Sequence, residues 1–365
     1  MTGKSCEKVM AARIWPANGE TVDSVEMKKQ TKETRQASYC PLLQSGLLAE
    51  RVAQARELLR RCHVCPRHCE VNRLEGELGF CQVGARPFVA SYGAHFGEEA
   101  PLRGRHGSGT IFFASCNLRC LYCQNYEISH LREGSECTPQ ELADMMIELQ
   151  DQGCHNINLV TPSHQVPHIL DGLLLAAERG LRIPLVYNTS SYDDLETLRL
   201  LDGIVDIYLP DFKYADAAIA ETYSQATGYP DIAKVAIKEM HRQVGDLVLD
   251  DEGLALRGVL VRHLVLPGGL AGTAEVMRCL AVDISPDTYV NVMDQYRPCY
   301  QAFSHPPLDR RITTEEFEES IRLAKAAGLH RLHQDRPGTR SRGSRRSDEP
   351  AQRPAVPGME MGTPA

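Results

Sequence analysis

The sequence predicts an α/β fold: a partial barrel of six βα units around a parallel sheet, preceded by a small cysteine-rich module. Three observations predict it. Between residues 106 and 330, short apolar, β-branched runs alternate with amphipathic helical stretches, the pattern of βαβ units. No Gly-x-Gly-x-x-Gly follows the first run, which argues against a dinucleotide-binding sheet, and six units are too few for a closed eight-stranded barrel. Seven of the thirteen cysteines in the 365 residues crowd between positions 62 and 123, the density of a metal-binding segment rather than a disulfide scaffold.

In chain order, residues 1–45 are polar without sustained periodicity and read as a flexible extension. Residues 46–105 form the cysteine-rich module. Strands are expected at 110–114 (Thr-Ile-Phe-Phe-Ala), 156–160, 184–187, 205–209, 259–266 and 289–293. Between them, Thr138-Pro139-Gln140-Glu141 places an N-cap, a Pro at N1 and a Glu at N3, and opens a helix ending near Gly153. Further helices are expected at 169–179, 195–201, 217–223, 233–244 and 273–281, and one opened by Thr314 and Phe317 ends at Gly328. Residues 331–365 shift to Arg, Ser, Gly and Pro, a composition that cannot bury enough apolar surface to offset its ordering entropy, and read as a disordered tail.

Forty Lys and Arg against 48 Asp and Glu leave a formal net charge of −8, which gives no electrostatic reason to bind nucleic acid or an anionic membrane. No apolar run approaches the ~18 residues that cross a bilayer. The first 38 residues carry no apolar h-region, so a cytoplasmic protein is expected.

Directly after the first expected strand stands Cys116-Asn117-Leu118-Arg119-Cys120-Leu121-Tyr122-Cys123-Gln124-Asn125. The count of three thiols is informative. Structural zinc takes four ligands, and a zinc site completed by a histidine such as His130 is one alternative. A [4Fe–4S] cluster on three thiolates keeps one iron without a protein ligand, open to a substrate or cosubstrate. C-x3-C-x2-C after the first strand of a barrel, with an aromatic before the third Cys, resembles the radical S-adenosylmethionine (SAM) superfamily. The surrounding residues are similar to the pyruvate formate-lyase activating enzymes. The resemblance implies that Cys116, Cys120 and Cys123 hold a [4Fe–4S] cluster that chelates the methionine end of SAM and cleaves it to a 5′-deoxyadenosyl radical, the protein positioning and tuning the cofactor.

Further matches follow. Asp211 and Lys213 match the activating-enzyme Asp-x-Lys pattern, which the resemblance assigns to SAM. On residues alone, an acid and an amine two apart on a strand share a face and make a surface ion pair. Val265-Leu266-Pro267-Gly268-Gly269 resembles the segment that cradles the nucleoside, where Gly lets the backbone approach closely; an ordinary strand-to-helix turn would read the same. Tyr122 is expected near the adenine, with Asn125 and Asn188 as further SAM-binding candidates. One position departs from the family. Its Gly-Gly-Glu-type motif is replaced by Val160-Thr161-Pro162-Ser163-His164, so Thr161, Ser163 or a backbone carbonyl is left to hold the SAM amino group. Pro167 between His164 and His168 argues against a helical metal pair there. Asn291 and Gln295-Tyr296-Arg297 are candidates for the substrate mouth.

Upstream, Cys62, Cys65, Cys69 and Cys81 follow C-x2-C-x3-C-x11-C, a closed four-thiolate set that suits zinc or an auxiliary iron–sulfur cluster equally. The Cys-Pro-Arg-His-Cys run, Val71-Asn72-Arg73, Gly79-Phe80-Cys81 and His95-Phe96-Gly97-Glu98-Glu99 together resemble the PflX-type branch of activating-enzyme-like proteins, over about residues 45–330. The expected function is reductive SAM cleavage for hydrogen abstraction, with flavodoxin or ferredoxin as electron donor. The target is a partner protein's glycine or, alternatively, a small molecule. A non-catalytic iron–sulfur or redox-sensing protein is the third reading.

Overall fold

The computed structural model describes residues 36–333. The strands are β1 (Phe88–His95), β2 (Ser108–Phe113), β3 (Ser135–Glu136), β4 (Ile157–Val160), β5 (Leu185–Thr189), β6 (Ile207–Pro210), β7 (Val248–Leu249), β8 (Ala255–Leu264) and β9 (Tyr289–Met293). They lie in the order β3-β1-β2-β4-β5-β6-β8-β7, with β9 on β8. The six expected strands are β2, β4, β5, β6, β8 and β9, and each pairs in parallel with the next. The result is a mixed α/β fold with a parallel-rich sheet.

The helices are α1 (Tyr39–Ser45), α2 (Leu47–Glu57), α3 (Ala100–Arg103), α4 (Tyr126–Ser129), α5 (Pro139–Asp151), α6 (Val166–Glu178), α7 (Leu195–Leu200), α8 (Ala217–Ser224), α9 (Tyr229–Val244), α10 (Thr273–Cys279) and α11 (Thr314–Ala326). Capping boxes start α5, with Thr138 and Glu141, and α11, with Thr313 and Glu316. Each satisfies two backbone donors that a helix start would otherwise orphan.

Strand alternation sorts side chains onto two faces. Leu185, Tyr187, Tyr208, Val259 and Val261 join the main core beneath the helices. Their neighbours Val186, Ile207, Leu209 and Leu260 join Leu247 and Leu102 of α3 in a second apolar cluster on the opposite face. The site is built one step further along this second face.

Two features differ from expectation. Helix α1 starts at Tyr39, inside the stretch read as a flexible extension. Tyr39 is fully buried, its hydroxyl donates to the Ile183 carbonyl at 3.0 Å, and the Ser38 hydroxyl donates to Asp206 at 2.7 Å. The extension over 1–35 and the tail over 334–365 lie outside the described residues. Strand β1 was not anticipated. Its Ala, Ser and Gly dilute the apolar alternation, and a bulge between Val89 and Ser91 breaks its register against β2. It runs antiparallel beside β2 and so joins the 46–105 segment to the sheet.

Candidate active site

Strand β2 ends at Phe113, and Ser115, at φ +70°, turns the chain into the three-cysteine loop. The Arg119 and Leu121 amides donate to the Ser224 and Tyr223 carbonyls at the end of α8, both at 2.9 Å. The Arg119 side chain reaches the carbonyls of Cys116 (3.1 Å) and Phe80 (3.0 Å). Every sulfur has a polar neighbour. Leu118 N–H donates to Cys116 Sγ at 3.3 Å, the Ser224 hydroxyl donates to Cys120 Sγ at 3.0 Å, and the Ser129 hydroxyl lies 3.1 Å from Cys123 Sγ. Burial, reinforced by neighbouring thiols, pushes Cys116 up to about 12; burial pushes Cys120 up to about 11. As free thiols Cys116 and Cys120 stay protonated, and ligation to iron is what would make them thiolates. Buried thiols with donors aimed at the sulfur are a donor set that suits an iron–sulfur cluster. The His130 ring packs on Tyr300 and is drawn to the Cys120 carbonyl.

Residues two further along the second face carry the polar groups. Asn188 follows Val186, Asp211 follows Leu209, and Arg262 follows Leu260. Lys213 Nζ donates to Asp211 Oδ2 at 2.7 Å, Arg262 Nε to Asp211 Oδ1 at 2.8 Å, and Arg262 Nη2 to Asn188 Oδ1 at 2.6 Å. Burial disfavours the Asp211 carboxylate, but Arg262 and Lys213 outweigh it and hold the group below its usual range. The Lys213 ammonium is close enough to Cys120 to favour its thiolate. The Asp-x-Lys pair and the cysteine loop therefore meet at the C-terminal ends of the strands, where parallel α/β folds do chemistry.

Glu98 and Glu99, just before α3, approach from the other side. Glu98 stands 3.8 Å from Arg262, and Asn291 on β9 donates to Glu99 Oε1 at 2.8 Å. Burial raises Glu98 to about 7, Arg262 opposing and Glu99 assisting the shift. Asn158 on β4 lies beside Glu98 and favours its anion, and among the described residues Glu99 Oε2 is buried without a hydrogen-bond partner. Orphaned polar atoms of this kind are costly unless something else meets them.

The remaining candidates separate. Tyr122 is buried, its ring against Tyr214 and Tyr296 and its hydroxyl 2.6 Å from that of Tyr214, which contacts Ser224 at 2.7 Å. Tyr296, expected at the mouth, is core, donating to the Leu308 carbonyl at 2.6 Å. Ser163 is enclosed with Thr189 (2.9 Å) and Asp193, whereas Thr161 is half-buried at φ +60° and its amide donates to the Asn188 carbonyl at 2.9 Å. Asn125 is exposed at the start of α4. Gly268 edges an open groove of about 730 Å³ between α10 and α11, its amide taken by Glu316 Oε1 at 2.8 Å, while Pro267 is buried. His164 and His168 are both buried and held neutral at about 3, by burial and by Arg73.

Among the four upstream cysteines, Cys65 is in electrostatic contact with Cys81, Cys62 and Cys69. Gly79 packs so tightly on Cys69 that an added Cβ would stand 2.8 Å from its sulfur. The segment is fastened to the three-cysteine loop, since the Ser115 hydroxyl donates to the Cys81 carbonyl and Arg67 Nε donates to the Asn117 carbonyl at 2.9 Å. Among the described residues no three Cys, His, Asp or Glu side chains already stand around one point as a single metal ion requires. Sequence reasoning missed Arg262 and Asn158. A charged residue inside the apolar run 259–266 was the available signal for Arg262; Asn158 gave none beyond being polar in a strand.

Residues 110–250 match the model of the Radical SAM superfamily. Uncharacterized protein MJ0674 of Methanocaldococcus jannaschii is 34% identical over 295 residues, covering 79% of this chain and 81% of the relative. Uncharacterized protein MJ0808 of the same organism is 28% identical over 158 residues, 39% of this chain and 46% of that protein. Two solved structures are distant neighbours, each with a TM-score of 0.38: HydG, a maturase of the [FeFe]-hydrogenase, at 13% identity over 59% of this chain and 47% of its own, and TYW1 with a lysine-pyruvate adduct bound, at 8% over 60% and 72%.

Proposed function

The chain belongs to the radical SAM superfamily, and from that premise we propose that it cleaves SAM reductively to abstract hydrogen from a substrate, in the manner that its resemblance to glycyl-radical activating enzymes implies. A [4Fe–4S] cluster, when bound, would supply the one-electron reducing chemistry that SAM cleavage requires. Cys116, Cys120 and Cys123 hold that cluster, and Leu118 N–H and the Ser224 hydroxyl direct hydrogen bonds at the thiolates. Lys213, kept charged by Asp211, meets the carboxylate of SAM. Thr161 and the backbone around it hold the amino group in place of the missing acid, since Ser163 is already engaged by Thr189. The observation that carries this reading is the approach of Lys213 to Cys120 across the strand ends.

The supporting parts of the reading follow from it. The sheet curves into a partial barrel, Cys62, Cys65, Cys69 and Cys81 bind a second metal, and flavodoxin or ferredoxin donates the electron. A reducing, cytoplasmic setting suits twelve described cysteines that are all free. A partner protein's glycine is the target that the activating-enzyme resemblance implies. A small polar substrate is the second reading, favoured by Glu99 Oε2, buried without a hydrogen-bond partner among the described residues and in electrostatic contact with Arg262.

The anaerobically reconstituted protein, given SAM and a strong reductant, is expected to form 5′-deoxyadenosine. Cys120→Ala is expected to abolish that product while leaving metal at the upstream cysteines. Product that persists in Cys120→Ala overturns the proposal. An organic radical appearing on an added partner protein selects the glycine target, and deuterium transfer from a labelled small molecule selects the other.

A further inference from the structure

Arg73 is 1% exposed and among the largest fully buried side chains. Its side chain ends in a guanidinium cation. Its polar neighbours are neutral: Nε donates to the Gly84 carbonyl at 3.2 Å, Nη1 to the His164 carbonyl at 2.9 Å, and Nη2 lies 3.0 Å from His168 Nε2. Among the described residues it forms no ion pair with a carboxylate. A buried cation without a counter-charge is strongly disfavoured, so a fold that keeps one supplies an anion.

Sulfur is what remains. Arg73 Nη1 stands 4.0 Å from Cys62 Sγ, and the guanidinium also acts on the Cys81 thiol. As four thiols the group is neutral. As four thiolates around a divalent ion, or around a four-iron core of the same charge, it carries a net charge of about −2. We infer that Arg73 is the buried counter-charge of a four-thiolate metal centre formed by Cys62, Cys65, Cys69 and Cys81. Arg73 touches no substrate; it is a positioning residue that acts through the thiolates. The centre also bears on catalysis, because the Cys81 carbonyl holds the Ser115 hydroxyl immediately before Cys116.

The inference rests on the reading that these four cysteines bind metal, and its test separates the two. The full chain is loaded anaerobically with iron and sulfide, and in parallel with zinc, and metal per chain is followed during challenge with a chelator. Wild type is expected to keep a complement that Cys65→Ser lacks. Arg73→Gln, which retains donors but no charge, is expected to hold that complement about tenfold less tightly. Arg73→Lys, which retains the charge, is expected to lie within about threefold of wild type. Equal metal in wild type and Cys65→Ser defeats the metal reading itself. Equal retention in wild type and Arg73→Gln, or equal loss in the Gln and Lys variants, overturns the role of the charge. Should Arg73→Gln fold poorly, unfolding midpoints decide: metal must raise the midpoint of wild type and Arg73→Lys by the same amount, and unequal gains overturn the inference. In every variant that folds, the change in the electron paramagnetic resonance signal on adding SAM reports the three-cysteine cluster independently.

Discussion

At 15% and 17% side-chain exposure, Asp211 and Lys213 are not the surface pair that their spacing alone allows. Asp211 accepts from Lys213 on one oxygen and from Arg262 on the other. Removing Lys213 therefore leaves the carboxylate still paired, whereas removing Asp211 would take the acceptor from Lys213 and leave Arg262 to Glu98 and Asn188. Lys213→Met isolates the ligand role for this reason. It is expected to cost about 1–2 kcal/mol of stability by chemical denaturation and to weaken SAM binding by equilibrium dialysis about tenfold or more. Unchanged SAM affinity would make the lysine a structural partner of Asp211 only. The thiols and the Asp-x-Lys pair were legible in the sequence because their chemistry lies in short spacings. Arg262, Asn158 and the environment of Arg73 were not, because each acquires its meaning from a residue on another strand or segment.

Elements were read best where local chemistry and tertiary packing agree. Helix α5 starts where Thr138 and Glu141 placed it, and α11 begins at the expected Thr314, with Thr313 as its N-cap. Strand β1 escaped notice because its pairing with β2, not its own alternation, makes it a strand. Gly172 in α6 shows the two levels in conflict. Helix propensity alone favours Ala there by about 1 kcal/mol. A Cβ at this position would stand 2.9 Å from both Cγ and Cδ2 of Leu142 on α5 and 3.2 Å from its Cβ. The crowded atoms include the branch point of a fully buried side chain, so the helices must separate. Overpacking of this kind costs about 1–3 kcal/mol, and packing wins. Gly172→Ala is expected to lower the thermal midpoint, and an unchanged or raised midpoint would show that the α5–α6 contact yields freely.

Over residues 36–333, one sheet carries an apolar core under its helices on one face and buried charge on the other. The expectation of six parallel βα units reached that far, but the expectation of charge did not, since burial cannot be read from composition. Titration exposes the consequence. His164 and His168, held at about 3, and His263, at about 4, refuse protons that the unfolded chain accepts. Their contribution to stability is present above the unfolded value near 6.5 and is lost as pH falls below it. Glu98 has the opposite sign. With a folded value of about 7 against 4.5 for the free side chain, it keeps a proton that the unfolded chain has released. Its contribution is full below pH 4.5 and gone once pH has risen through 7. The shift corresponds to about 3 kcal/mol, so desolvation of Glu98 exceeds its attraction to Arg262. Glu98→Gln is therefore expected to match wild type in denaturant titrations at pH 4.5 and to exceed it by up to about 3 kcal/mol at pH 7.5. A variant less stable than wild type at pH 7.5 would mean that Arg262 requires the anion. A gain in stability would identify Glu98 as a group kept at a cost to the fold, as buried acids at functional sites are. Under the proposed function, the same variant should then lose 5′-deoxyadenosine formation coupled to substrate while remaining folded.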